Sequence, residues 1–176
     1  MALRAAPLLE TARLTLRPFE AGDVDAQAAM MADPHVVRHL GGHPFEREEA
    51  WRKLVAGNGM WALFGYGYWA VVRREDRAMI GQIGFADFKR AMIPAIEGLP
   101  EMGWVLAAEA GGRGFASEAA SAALAWIDDA LDPPEIVAVI DSANQASIRV
   151  AEKAGFAERE TARYKNEPIL LFRRKR

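Results

Sequence analysis

The chain has 176 residues, of which 51% are apolar and 26% charged, close to the globular norm and enough for one domain with a sizeable core. Its formal net charge of −2 supplies no general attraction to nucleic acid or to an anionic membrane. The absence of cysteine excludes disulfides, thiolate metal sites and a cysteine nucleophile. No apolar run approaches the ~20 residues needed to span a bilayer. The N-terminus carries Arg4 but no sustained apolar core or cleavage-like stretch, so no secretory signal is expected and a cytoplasmic address is the default.

No repeat, low-complexity tract or linker divides residues 1–176, which read as a single domain. Leu14 to Arg17 alternates and predicts an opening strand that stops near Pro18. Val24, Ala28 and Met31 stand at helical spacing, which predicts a helix over 21–33 ending before Pro34. A second helix is expected from Glu46 to Val55, with acidic residues at its start and Gly57 at its end. Tyr68–Arg73 and Met79–Phe85 predict a hairpin across Arg74–Ala78, followed by an irregular stretch from Lys89 to Pro100. The remainder reads as a strand at Met102–Leu106, a helix over 115–131, a strand over 135–141 and a helix over 144–153. Strands near 156–163 and 168–174 close the chain. Strands first, then strands alternating with helices, predict an α/β domain with a mixed sheet and helices on both faces.

Between the strand ending at Leu106 and the alanine-rich helix lies Ala-Ala-Glu-Ala-Gly111-Gly112-Arg113-Gly114-Phe115-Ala116. Glycines let the backbone come close to a ligand, and the unpaired N–H groups of the next helical turn favour an anion. Arg113 adds a mobile positive charge, so the turn is a candidate pyrophosphate cradle. The P-loop pattern is absent, and the dinucleotide fingerprint matches at Gly112 and Gly114 but has Ser117 where its third glycine belongs. On the glycines alone, an ordinary tight strand-to-helix turn is the simpler reading.

A second segment shifts that balance: Asn144-Gln-Ala-Ser147-Ile-Arg149-Val-Ala151-Glu152-Lys153-Ala-Gly155-Phe156, just after the strand-like run Ile136–Ile140. With Gly112-Arg-Gly-Phe-Ala-Ser-Glu118 it resembles the paired motifs of the GNAT-type N-acetyltransferases, in the branch that includes the ribosomal-protein N-terminal acetyltransferases. Leu9-Glu-Thr-Ala-Arg13-Leu-Thr-Leu-Arg17-Pro, Asp33-Pro34 and the strand from Ile80-Gly81 to Gly84 resemble the same branch. The resemblance implies a mostly antiparallel, mixed seven-stranded sheet whose strands at 102–106 and 136–140 splay apart to admit CoA. Unpaired backbone groups of Trp104, Val105 and Leu106 would then bond the pantetheine amides, much as another strand would. The pyrophosphate would fall on Gly111, Gly112, Arg113, Gly114, Phe115 and Ala116. Asn144 would reach the pantetheine arm or cap its helix, two roles that are compatible. Lys153 would offset the adenosine 3′-phosphate, whereas Arg149 reads better as part of a solvated face.

The implied activity is direct transfer of acetyl from the cosubstrate acetyl-CoA, without a metal, to a primary amine. The acceptor is a protein N-terminus, a peptide or a small molecule, and the protein a monomer or homodimer, with no nucleic-acid or membrane partner. Glu101 matches a glutamate found at this strand entry in the resembled branch and is the candidate general base, with Glu97 a less specific competitor. A solvated strand-end glutamate is the plain alternative for Glu101. A backbone N–H, that of Val105, is the candidate oxyanion donor. Two positions depart from the family pattern: Gly111 stands where Gln or Arg is usual, and Ala151 where many relatives carry a tyrosine acid. Ser147, another residue or solvent would then protonate the thiolate. Those departures also admit a noncatalytic CoA-binding regulatory domain, and the glycines a Rossmann-type nucleotide binder, which the incomplete fingerprint disfavours.

Other clusters carry less. His35, His39 and His43 are spaced by four, but Gly41 and Gly42 interrupt the helix that would align them as metal ligands, so capping or surface roles are expected. Trp61, Phe64, Tyr66, Tyr68 and Trp69 could line an acceptor pocket, but alternate residues of a strand there pack into the core, and Tyr66 and Tyr68, each with a hydroxyl handle, are the ones to test. Arg173-Arg-Lys-Arg176 reads as a solvated, frayed end.

Overall fold

The computed structural model describes residues 5–176, and Arg4 lies outside the described residues. Its strands are Leu9–Glu10 (β1), Leu14–Arg17 (β2), Tyr68–Arg73 (β3), Met79–Ala86 (β4), Met92–Ile93 (β5), Glu101–Leu106 (β6), Glu135–Ile140 (β7), Glu158–Tyr164 (β8) and Glu167–Lys175 (β9). They form one sheet in the order β1-β2-β3-β4-β6-β7-β9-β8-β5. Every pairing is antiparallel except β6 with β7. Nine strands thus replace the expected seven. The additions, β1 and β5, are two residues each, too short to show an alternation, and exist because β2 and β8 offer them a partner edge.

The helices are Val24–Ala32 (α1), Pro34–Val37 (α2), Arg47–Phe64 (α3), Phe115–Ala130 (α4) and Gln145–Lys153 (α5). The helix expected over 21–33 begins as a 3-10 turn at Ala21–Asp23, and α2 follows it directly. Asp33 caps α2 by accepting the His35 N–H at 2.8 Å, and Pro34 occupies the first turn, where its missing donor costs nothing. Helix α3 runs nine residues past the expected stop at Val55. Gly57 does not end it: the residue is buried, and a Cβ there would come within 3.2 Å of the Phe19 ring and 3.3 Å of Tyr68. The glycine permits close helix–sheet packing, and the helix stops at Gly65, whose φ of 76° closes it with a bond to the Trp61 carbonyl.

On one face, α4 presents Ala119, Ala120 and Ala123, small enough to bring the helix close to Ile83, Phe85 and Met102 of the sheet. Trp61, Trp69 and Trp126 meet edge to face in the same core, with centroids 4.7 to 5.2 Å apart, each pair worth about 0.5–1.5 kcal/mol beyond its buried area. The other face packs α1–α3 through Met30, Met31, Ala50 and Leu54. The C-terminal basic run is not frayed. Its first three residues lie in β9, where Arg173 bonds Glu135 and Glu160, Arg174 bonds Asp128, and Lys175 bonds Glu158.

Arg17 and Asp23 form a two-pronged ion pair, both prongs 2.7 Å, that fixes the turn into α1. Burial pushes the Asp23 carboxyl up, but the Arg17 guanidinium and the Glu20 N–H outweigh it and hold the group below the usual carboxylate range. A depressed folded value means the contribution is present above about pH 4 and lost as pH falls below it. Asp23→Asn is expected to cost about 3 kcal/mol in urea unfolding at pH 7, the low end for a broken buried pair because Arg17 remains 21% exposed. The gap from wild type should narrow as pH drops below 4; a gap independent of pH would refute the pairing.

Candidate active site

Strand β6 pairs with β4 from Gly81↔Leu106 to Ala86↔Glu101, but it meets β7 at the single register pair Glu101↔Val137. The Pro100 carbonyl accepts from the Val137 N–H at 3.0 Å, and the Ala107 N–H donates to the Ile80 carbonyl at 2.8 Å. Backbone polar groups alternate between the two edges of a strand. Even-numbered residues of β6 therefore turn toward β7 and odd-numbered ones toward β4. Past Glu101 the strands diverge, so the backbone groups of Trp104 and Leu106 face an open gap. Those of Val105 face β4, which corrects both the cofactor contact and the oxyanion donation expected of its backbone. The Val105 side chain packs instead beside Met30 and Met31.

The chain leaves β6 through a 3-10 turn at Ala108–Ala110 and reaches α4 across the glycines. Gly112 (φ 71°) and Gly114 (φ 80°) sit in the left-handed region, where a Cβ costs ~1–2 kcal/mol, and Gly114 caps α4. Gly111 is extended at φ −65°, a conformation open to any residue. Gly111, Gly112, Arg113 and Gly114 are exposed, Phe115 is buried and Ala116 half-buried, so the loop and the first helical turn form an accessible rim.

Arg13, in the β1–β2 turn, braces this loop from below. Its Nε donates to Glu118 at 2.7 Å, and its Nη1 to the Arg113 carbonyl at 3.0 Å. Arg13 and Arg113 both stack on the Phe115 ring, at 4.5 and 4.9 Å. Burial pushes the Glu118 carboxyl up, but the Thr11 hydroxyl and the Arg13 donors hold it below its ordinary value. An open cleft of about 500 Å3 adjoins the loop, lined by Arg13, Arg73, Arg74, Glu75, Arg113 and Phe115. Sequence reading missed Arg13, Arg73 and Arg74 here, because only pairing of β1, β2 and β3 brings them beside α4.

Asn144 caps α5: its Oδ1 accepts from the Ser147 N–H at 3.1 Å, which leaves the amide nitrogen available. Ser147 is half-buried in the first turn, whereas Lys153 and Arg149 are exposed, Lys153 at the far end of the helix. Ala151 is fully buried in the α4–α5 core.

Glu101 is not a solvated strand-end residue. Its side chain is 6% exposed, and both oxygens accept from Arg90, at 2.7 Å from Nε and 2.9 Å from Nη2. Glu97 is exposed and lies 3.2 Å from Lys89. Tyr68 reaches the same place from β3, and burial, reinforced by the Glu101 carboxylate, pushes its phenol well above the usual tyrosine range. Arg90 falls in the stretch read as irregular, and no local pattern marked it. The histidines disperse: His39 Nδ1 lies 2.8 Å from Asp141 Oδ2, and His43 lies near Phe45 and Glu49.

The divergent β6–β7 pair thus opens toward a glycine-lined helix N-terminus. The domain model for the acetyltransferase (GNAT) domain matches residues 13–157. YoaA of Bacillus subtilis, an uncharacterized N-acetyltransferase, is 31% identical over 151 residues, 85% of this chain and 82% of that one. An acetyltransferase from Agrobacterium tumefaciens superposes with a TM-score of 0.82 at 31% identity, covering 98% of this chain and 96% of that one. The aminoglycoside acetyltransferase AAC(6′)-Ib, solved in complex with coenzyme A, shares the fold at 18% identity and a TM-score of 0.75, over 93% and 95% of the two chains. The chain belongs to the GNAT acetyltransferase family. Among the described residues no helix is long and apolar enough to cross a membrane.

Proposed function

We propose that this chain moves acetyl from acetyl-CoA to a primary amine by direct attack on the thioester. The divergence of β6 from β7 beside the Gly111–Gly114 loop carries this reading. The N–H groups at residues 112–116 and the Arg113 charge suit the pyrophosphate, whereas the Gly111 N–H already donates to the Ala108 carbonyl at 3.1 Å. Backbone groups of Trp104 and Leu106 suit the pantetheine amides, and Lys153 is the candidate partner of the 3′-phosphate. Glu101, at the foot of the gap, is the candidate base for the ammonium proton, and Ser147 remains the candidate donor to the departing thiolate. The acceptor class is a protein or peptide N-terminus, or a small-molecule amine.

Incubation with acetyl-CoA and a panel of free amines and peptides, followed by CoA release and mass shift, tests the reading. Tight CoA binding without release on any acceptor would support the noncatalytic alternative instead. Asn144 allows a narrower test, because its two roles fall on two atoms. Asn144→Asp keeps the capping oxygen but loses the amide donor and sets a negative charge near an anionic cofactor. It is expected to raise KM for acetyl-CoA with Tm unchanged, and an unchanged KM would reduce the residue to its cap.

A further inference from the structure

Tyr68, Gly84 and Gly103 occupy one register row across β3, β4 and β6. Two side chains are missing from that row: at Gly84 the backbone of Gly67 and Tyr68 takes the space, and at Gly103 the end of the Tyr68 side chain does. A Cβ at Gly103 would overlap the Tyr68 hydroxyl, so only glycine lets the phenol lie against β6 at this point. Gly103 is two residues beyond the one pair that joins β6 to β7, where the gap begins. The direction of the ligand then follows from its chemistry. With its phosphates on the loop after Leu106 and its amides along Leu106 and Trp104, the pantetheine runs back down β6. Its thioester end arrives at the level of Gly103.

We propose that the Tyr68 hydroxyl donates the hydrogen bond that stabilises the oxyanion in acetyl transfer; the assignment rests on the acetyl-transfer reading above. The amine nitrogen bonds to the thioester carbon while the C=O π electrons move to oxygen, which accepts from Tyr68 Oη. Collapse of this adduct re-forms the carbonyl and breaks the C–S bond, and the electron pair leaves with sulfur. Tyr68 keeps its proton throughout; the amine enters neutral after giving its ammonium proton to a carboxylate or water, and the extra proton on the adduct nitrogen leaves to water or to the departing thiolate. Burial and the neighbouring Glu101 disfavour the phenolate, which keeps the residue a donor at neutral pH. The backbone alternative, the Val105 N–H, is turned toward β4. Phe88 packs at 6.4 Å from the Tyr68 ring and helps hold it across the row.

Tyr68→Phe removes one oxygen and keeps the ring over Gly103. It is expected to lower kcat by ~10²–10³-fold, the usual loss for one oxyanion donor. CoA affinity by calorimetry and Tm should stay at wild-type values, and the pH–rate profile should drop uniformly with its limbs in place. Undiminished kcat in Tyr68→Phe, with an active wild type, overturns the assignment alone. A loss accompanied by a displaced acid limb also overturns it, since the tyrosine would then be acting through Glu101. A wild type that binds CoA but acetylates no amine overturns the acetyl-transfer reading and this assignment with it.

Discussion

Glu101→Gln is expected to lower kcat for amine acetylation by ~10²–10⁴-fold, the typical worth of a positioned base, while CoA affinity is retained. An alkyl ammonium holds its proton at neutral pH and must lose it before nitrogen can attack. Glu101 is buried at the one register pair of β6 with β7, next to the level proposed for the thioester. Arg90 uses one lone pair on each oxygen, and a carboxylate has about four such sites, so one water can still be bound and deprotonated. Glutamine keeps the shape and one acceptor for Arg90 but takes no proton. The acid limb of kcat/KM, corrected for ionisation of the acceptor amine, should vanish in the variant. A surviving acid limb with kcat near wild type would transfer the role to Glu97 or to water. A lower Tm with kcat preserved would make Glu101 only the anchor of Arg90.

Gly112→Val and Gly114→Val are expected to abolish CoA binding in calorimetry while circular dichroism shows a folded chain. Both positions have positive φ, so a β-branched residue must either strain the loop or turn its N–H groups away from the ligand. A Cβ at Gly112 meets nothing within 4 Å, so its side chain would project into the space proposed for the phosphates rather than into the core. Gly111→Ala is the matched control. At φ −65° alanine is unstrained, although its Cβ would come 3.1 Å from the Ala108 carbonyl, and the loss of affinity should be much smaller. Unchanged CoA affinity in the folded valine variants would remove the loop from the cofactor site.

What could be read from the sequence was whatever depends on near neighbours in the chain. The strands at 68–73, 79–86 and 101–106 announce themselves by local composition and alternation. The strand-to-helix turn at 111–116 is written in its glycines before an alanine-rich helix, although its reading as a phosphate cradle needed the second motif as well, and the Asn144 cap is written in the residues that follow it. The errors fell where contacts between distant residues override local preference. Gly57 looks like a helix stop, yet α3 continues because Phe19 and Tyr68 press on that glycine and packing repays its propensity cost. Met92–Ile93 carries no strand pattern and becomes one because β8 offers an edge.

The chemistry divides in the same way. Glu101 was legible as a candidate from its motif, but its burial and its Arg90 clamp were not, since Arg90 approaches from an irregular stretch eleven residues back. Which edge of β6 faces the gap depends on which neighbour pairs with it, and a strand read alone does not say. Trp104, Val105 and Leu106 are equivalent in sequence; pairing with β4 turns the Val105 backbone away from the gap. Tyr68 reaches Gly103 across an intervening strand, thirty-five positions along the chain, and only the register of three strands in one sheet determines that contact.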